Sequence, residues 1–357
     1  MPNPSVQRLA VAAACVVIAC GFLAGTSAGS SPRSPRATAP KLLVHDTSGF
    51  SGTKKRTART RSQARSFAVY NDSALSSPSV VNESGDMGTT QYVAAFNGRF
   101  DVDSRTGPRL AQVTNANFWS GLTAPDAAGL CATDPRGQPS VAYDRAADRW
   151  VISEAAYAVD GSGNPTAPYV QCVAVSTSPD ATGTWSRYVF QVSSTLFPDR
   201  PTLGVWADGY YLSFNQHTSS GTWAGAGALA LERSQMLNGS AAQARYFDLE
   251  NVTPGLGGML PADITGPNAP TSGAPELYLQ AHDDPLDIND RLEVWGFHVD
   301  WSAPVTGSTF QPIRNIPLDG GGFTLNTTFS CLQPGTASTL WSACLLQGAG
   351  GGIASAS

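Results

Sequence analysis

Lysine disappears from this chain after Lys55, and charged residues of every kind make up only 14% of its 357 positions. Soluble domains carry about 25%, so a charge-laced coiled coil or helical bundle does not fit. Long apolar runs are also scarce. Past residue 24 none approaches the roughly 20 residues of a membrane-crossing helix, which excludes a polytopic membrane protein. Histidine occurs four times. His45, His217, His282 and His298 show neither an HExxH pattern nor any paired spacing, so zinc hydrolysis is not indicated. Phosphate loops, dinucleotide fingerprints and the G-x-S-x-G elbow are missing as well, which removes P-loop, Rossmann and α/β-hydrolase chemistry.

What the chain does have is punctuation. Its 36 Gly and 25 Pro are spread evenly and cut it into short pieces, as in an all-β domain. Charge is split along the length. Residues 29–70 hold nine cations and one anion, Asp46, whereas twelve arginines face 26 acids beyond residue 70. An acidic body repels phosphates and argues against nucleic acid as partner.

The first residues have the three-part form of a secretory signal peptide: Arg8, an apolar stretch over 9–24, then Gly25-Thr26-Ser27-Ala28. Cleavage after Ala28 leaves no membrane span in the mature chain. Val17-Ile18-Ala19-Cys20 offers the alternative of a lipobox, with an acylated Cys20 holding the protein on the membrane. The apolar run continues past Cys20, which favours free secretion. The sequence predicts a signal peptide over 1–28, a basic disordered linker over 29–70, an all-β domain over 71–335 and a disordered Gly/Ala/Ser tail over 336–357.

Within the body, short apolar runs alternate with turn residues. Tyr92 to Phe96 meets Asn97-Gly98, a strong hairpin signal, and then Arg99 to Val102. Similar pairs flank residues 144–148, 207–209 and the acidic run after Gln280. The stretch Gly227 to Leu237 reads as briefly helical, and Asp101 to Gly107 as another turn. Asp134, Asp199 and Asp263 each precede a hairpin at steps of 65 and 64 residues, with Asp86 ahead of the first. A repeat of that length is blade-like. We therefore expect a β-propeller-like fold of about four blades, as an incomplete ring; a closed four-bladed ring is the alternative.

Four segments in fixed order carry a resemblance. Asp144-Arg145-Ala146-Ala147-Asp148-Arg149-Trp150-Val151-Ile152-Ser153, Cys172-Val173-Ala174-Val175-Ser176, Gly204-Val205-Trp206-Ala207-Asp208-Gly209-Tyr210-Tyr211 and Leu260-Pro261-Ala262-Asp263 together resemble a family of secreted bacterial β-propeller-like proteins with no assigned activity. The resemblance covers about residues 80–335 and implies export, an all-β ring and an unknown ligand. It implies no catalytic residues. Ser178-Pro179-Asp180-Ala181-Thr182-Gly183-Thr184-Trp185 resembles the Asp box of sialidase-type propellers, with the glycine one place late. In that motif Ser and Asp cap a turn and Trp packs between strands, so Ser178, Asp180, Gly183 and Trp185 speak for fold rather than catalysis.

Candidate sites follow from chemistry. Glycoside hydrolysis needs two carboxyls facing each other across a sugar, and Asp199 and Asp208, near strand starts and turns, suit that best. Asp283, Asp284, Asp287, Asn289 and Asp290 crowd oxygen donors that could wrap a structural Ca²⁺; no other cofactor is implied. Of six cysteines, Cys15 and Cys20 lie in the leader. The placing of Cys131 just before a blade and Cys172 in its next strand predicts a disulfide across 41 residues, and Cys331 and Cys344 pair by default. The leading reading is a secreted, non-enzymatic binder of extracellular glycan, peptide or cell-wall polymer. The alternative is a glycosidase using Asp199 and Asp208.

Overall fold

The computed structural model describes residues 35–50, 52–54, 83–122, 129–136, 138–250, 256–266, 268–282 and 291–317. The leader with Cys20, the run from Asp283 to Asp290, Cys331, Cys344 and the tail 336–357 lie outside these residues.

The chain is all-β. An arm of three short strands comes first: β1 (Ala37–Thr38), β2 (Lys41–Gly49) and β3 (Thr53–Lys54). The first antiparallel sheet follows, with β4 (Glu83–Met87), β5 (Gln91–Phe96), β6 (Arg99–Ser104) and β7 (Arg109–Thr114). Helices α1 (Asn115–Phe118) and α2 (Leu130–Thr133) lead to the second: β8 (Ser140–Asp144), β9 (Arg149–Val159), β10 (Pro165–Ser176) and β11 (Thr184–Ser193). The third holds β12 (Leu196–Val205), β13 (Gly209–Thr218) and β14 (Trp223–Glu232), then α3 (Arg233–Leu237) and β15 (Ala244–Asp248). The fourth holds β16 (Leu260–Pro261), β17 (Glu276–His282), β18 (Arg291–His298) and β19 (Thr309–Pro317). Each sheet is a four-stranded meander, and the innermost strands β4, β8, β12 and β16 lie side by side, as in a propeller.

Residues 37–54, expected as part of a solvated linker, are instead structural. β3 adds to β7 of the first sheet, β2 to β11 of the second and β1 to β15 of the third. Composition hid this, because Leu42-Leu43-Val44 is a small apolar island among cations. Leu42 packs into the seam between the second and third sheets, and Leu43 and Val44 into that between the first and second. Asp46 fixes the arm. Arg187 on β11 donates to it through Nε and Nη2 at 2.9 and 2.5 Å, and through Nη1 to the carbonyls of Phe118 and Ser120.

Three apolar seams join the sheets. Trp119, Trp150 and Trp185 fill the first, Tyr188, Phe190 and Tyr210 the second. In the third, Ala226, Ala228 and Ala230 of β14 leave room for Tyr278, Phe297 and Phe310. Among the described residues no apolar cluster joins the fourth sheet to the first. On the first sheet's far face, Asp101 and Asp103 are buried in β6 and ion-paired with Arg99 and Arg109; they belong to a strand and not to the expected turn. Gly227 to Glu232 likewise continue β14, and only Arg233–Leu237 is helical. The predicted 64–65-residue period also needs correction. Side chains and amides that meet across neighbouring inner strands are 57 or 58 residues apart. Asp134 and Asp199 do not occupy equivalent places: the first follows α2, the second lies inside β12.

Cys131 of α2 and Cys172 of β10 form the predicted disulfide, with Cα atoms 6.0 Å apart and both residues buried. Closing a 41-residue loop is worth on the order of 4 kcal/mol by chain entropy. Replacing both cysteines by alanine should therefore lower the urea-unfolding free energy by about that amount. Asp46→Ala strands a guanidinium that is only 4% exposed, and should cost about 3 kcal/mol in the same measurement.

Candidate functional site

The inner strands run in the same direction, so their N-terminal ends gather at one mouth of the axis. A cleft of about 270 Å³ opens there, and residues of all four sheets line it. Ser84 comes from the first, Gln138 and Ser140 from the second, Arg200 and Asn215 from the third, Gly258 from the fourth. Most of these polar groups also bind one sheet to the next. Ser84 Oγ accepts from the Val141 amide at 3.0 Å, and Ser140 Oγ donates to the Pro201 carbonyl at 2.6 Å. Asn215 Oδ1 accepts from the Gly258 amide at 2.8 Å. Gln138 does most: its Nε2 donates to Asp199 at 3.0 Å and its Oε1 accepts from the Arg200 amide at 2.5 Å. Gln138 and Arg200 both hold left-handed backbone, at φ +55° and +51°. For residues other than glycine that conformation costs energy and is kept only where surroundings enforce it. No carboxylate lines the cleft among the described residues.

An aromatic row rims this mouth. Tyr157 meets Phe197 at 5.7 Å, Phe197 stacks on His217 at 5.3 Å, and His217 meets Trp223 edge-on at 5.4 Å. Trp223 is 42% exposed, while Trp119, Trp150 and Trp185 are fully buried. Its ring lies so close over Gly257 that a Cβ there has no room. The indole thus borders the Gly258 side of the cleft. Sequence alone separates Trp223 from the buried tryptophans only by its setting after Ser219-Ser220-Gly221, a loop tip.

The C-terminal ends of the inner strands carry acids. Asp86 accepts from the Tyr143 amide at 2.7 Å and Asp263 from the Val205 amide at 3.1 Å, so both bridge sheets. Burial pushes the Asp263 carboxyl up to about 6, and the charges of Asp86 and Asp144 add to the rise while Arg145 opposes it. Glu276 is wholly buried, with no hydrogen bond to either carboxyl oxygen. Burial raises it well above the usual range, and Asp208 and Asp263 raise it further. Asp208 and Asp86 are raised by burial too. Asp144 differs: Arg233 grips it with two bonds of 2.6 and 2.9 Å, and the Tyr210 hydroxyl adds a third.

The two carboxylates singled out as a catalytic pair do not face each other. Asp199 lies in the first half of β12, near Gln138 and 3.9 Å from His217. Asp208 sits in the turn beyond the far end, accepting from the Tyr211 hydroxyl. The strand between them spans about 20 Å at about 3.3 Å per residue, roughly twice what an inverting pair tolerates. One strand carries both, but to opposite mouths. Ser178, Asp180, Gly183 and Trp185 make the turn from β10 to β11. Ser178 Oγ accepts from the Asp180 amide, Asp180 Oδ1 from the Thr182 amide, and buried Trp185 donates to the Ala181 carbonyl. Asp180 also accepts from Gln91 of the first sheet at 2.8 Å, so this turn is a seam fastener. Among the described residues no group of three or more His, Cys, Asp or Glu is placed to hold a metal.

No family model and no curated protein matches the chain. Among solved structures it is similar to an exo-β-1,3-galactanase from Phanerochaete chrysosporium determined with β-1,3-galactotriose, at 12% identity and a TM-score of 0.31. The match covers 70% of this chain and 63% of that one, so the chain spans less than two thirds of that enzyme's length.

The acids at the C-terminal mouth set a pH dependence. Their folded affinities for protons exceed those of the unfolded chain, so folding takes up protons. For Asp263, about 6 when folded against about 4 unfolded, the stabilisation is complete below about pH 4 and is lost as pH rises through 6. Glu276 carries the loss to higher pH. The melting temperature should fall between pH 4 and pH 8, and Asp263→Asn should flatten the lower part of that fall. A wild-type melting temperature that climbs across the range would contradict the assignment.

Proposed function

We propose that this is an exported, non-enzymatic saccharide-binding protein that takes its ligand in the cleft where the four sheets meet. One observation carries the reading: a cleft lined by hydroxyls, amides and one arginine, without a carboxylate, and bordered by the exposed indole of Trp223. Sugars present apolar C–H faces and polar edges, so a flat aromatic beside fixed donors and acceptors suits them. A two-carboxylate hydrolase lacks its machinery here. The acids with raised proton affinity lie at the opposite mouth, and Glu276 among them has no solvent exposure. Export is supported by the form of residues 1–28 and by the Cys131–Cys172 disulfide, which suits an oxidising compartment. Described helices are all too short to cross a membrane. The mature chain then starts at Gly29 and, if acylated at Cys20 instead, would partition into detergent.

Glycan-array screening followed by calorimetry tests the proposal. Trp223→Ala should weaken binding by about ten-fold or more and leave the melting temperature within about 2 °C, because the ring is half outside. Turnover of chromogenic glycosides by the wild type would replace this reading with the hydrolase.

A further inference from the structure

The cleft holds one formal charge among its lining residues, and that charge is placed unusually. Arg200 is held at φ +51° by the bond from its own amide to Gln138, itself at φ +55°. Its side chain is 40% exposed. Asp199 approaches only its Nε, at 3.8 Å, beyond hydrogen-bond reach. Nη1 and Nη2 have no hydrogen-bond or ion-pair partner among the described residues. Other arginines behave differently. Arg187 and Arg233 each spend two nitrogens on one carboxylate, and Arg291 puts Nε and Nη2 on Glu293. A left-handed non-glycine residue that exposes the open end of its guanidinium fork in a central cleft is a costly arrangement that packing does not require. A planar fork of N–H donors fits an oxyanion that accepts two bonds at once.

We propose that Arg200 reads an anionic group, and that the saccharide bound in the cleft carries a carboxylate or a phosphate. The inference rests on the reading of the cleft as a saccharide site. Selectivity follows from the surroundings. The body is acidic overall, with twelve arginines against 26 acids beyond residue 70, so no broad positive field gathers anions. Discrimination falls to one short-range contact. Ser140, Thr202 and Asn215, which share the cleft, can meet the sugar hydroxyls around the charged group.

Calorimetry with uronate oligosaccharides and with a glycerol-phosphate oligomer, each beside a neutral counterpart (the methyl ester, or glycerol alone), separates the outcomes. Wild type should bind at least one acidic member about 10- to 100-fold more tightly than its neutral partner, the worth of a charge-assisted pair of hydrogen bonds. Which series responds distinguishes carboxylate from phosphate. Arg200→Gln should erase the preference, and Arg200→Lys, which keeps charge but not the fork, should lose most of it. Arg200→Gly provides the folding control: glycine tolerates φ +51°, so the melting temperature should hold or rise while the preference disappears. Equal binding of acidic and neutral members would overturn the role of Arg200 and leave the saccharide reading standing. No binding by any member would overturn both.

Discussion

A β-sheet ends in a row of unpaired amides and carbonyls, and the first three sheets of this protein dispose of that row in the same way. Each accepts a fifth strand from the arm at residues 37–54, antiparallel to its outermost strand. The arm is too short to form a sheet of its own and is stable only as an addition. It also does what no single sheet can, since one continuous segment touches three of the four. Arg187 makes this attachment specific. Its guanidinium joins β2 through Asp46 and the loop after α1 through two carbonyls, so the arm, the first sheet's exit and the second sheet share one nearly buried cation. The fourth sheet has no such strand among the described residues, and its outer β19 carries Pro312 and Pro317, which cannot donate to a neighbour.

Around the axis the logic is polar rather than apolar. Outer and middle strands meet through aromatic and alanine packing, whereas inner strands are fastened by side chains that bind the next sheet's backbone. Ser84, Asp86, Ser140, Ser213 and Asp263 all work this way. Inner strands lie too near one another for large side chains: Gly204 faces the Ala262 carbonyl with no space for a Cβ. A polar axis follows, and with it a cleft whose lining is already hydrogen-bonded before any ligand arrives. That preorganisation lowers what a ligand must spend on ordering the site.

Much of the fold was legible in the sequence because hairpins announce themselves locally. Asn97-Gly98 sits where the chain reverses, and Gly98 takes the positive φ of +97° that the turn needs. Asp144 to Asp148 does the same between β8 and β9. The disulfide was legible because Cys131 and Cys172 flank one blade. The arm was not: its partners are 58 to about 208 residues away, and no local pattern reports so remote a pairing. The cleft was equally hidden. Gln138 and Arg200 are unremarkable in sequence and meet only because two sheets bring them together. Asp199 was noticed for its charge, yet its part is to hold Gln138. Asp208 misled as its partner because a strand with one acid near each end reads as a pair in one dimension and as two separate places in three.

The arm also fixes an order of events during synthesis. β3 can pair once β7 exists, near residue 114; β2 must wait for β11, and β1 for Tyr246 and Phe247 on β15. The earliest-made strand is thus the last to find its place. At about 5–20 residues per second, β1 waits on the order of 10–40 s for its partner. Docking proceeds backwards along the arm as each sheet is completed, and every step encloses the one before it. The result is a set of nested loops in which the newest sheet is always clasped by the oldest free segment of chain.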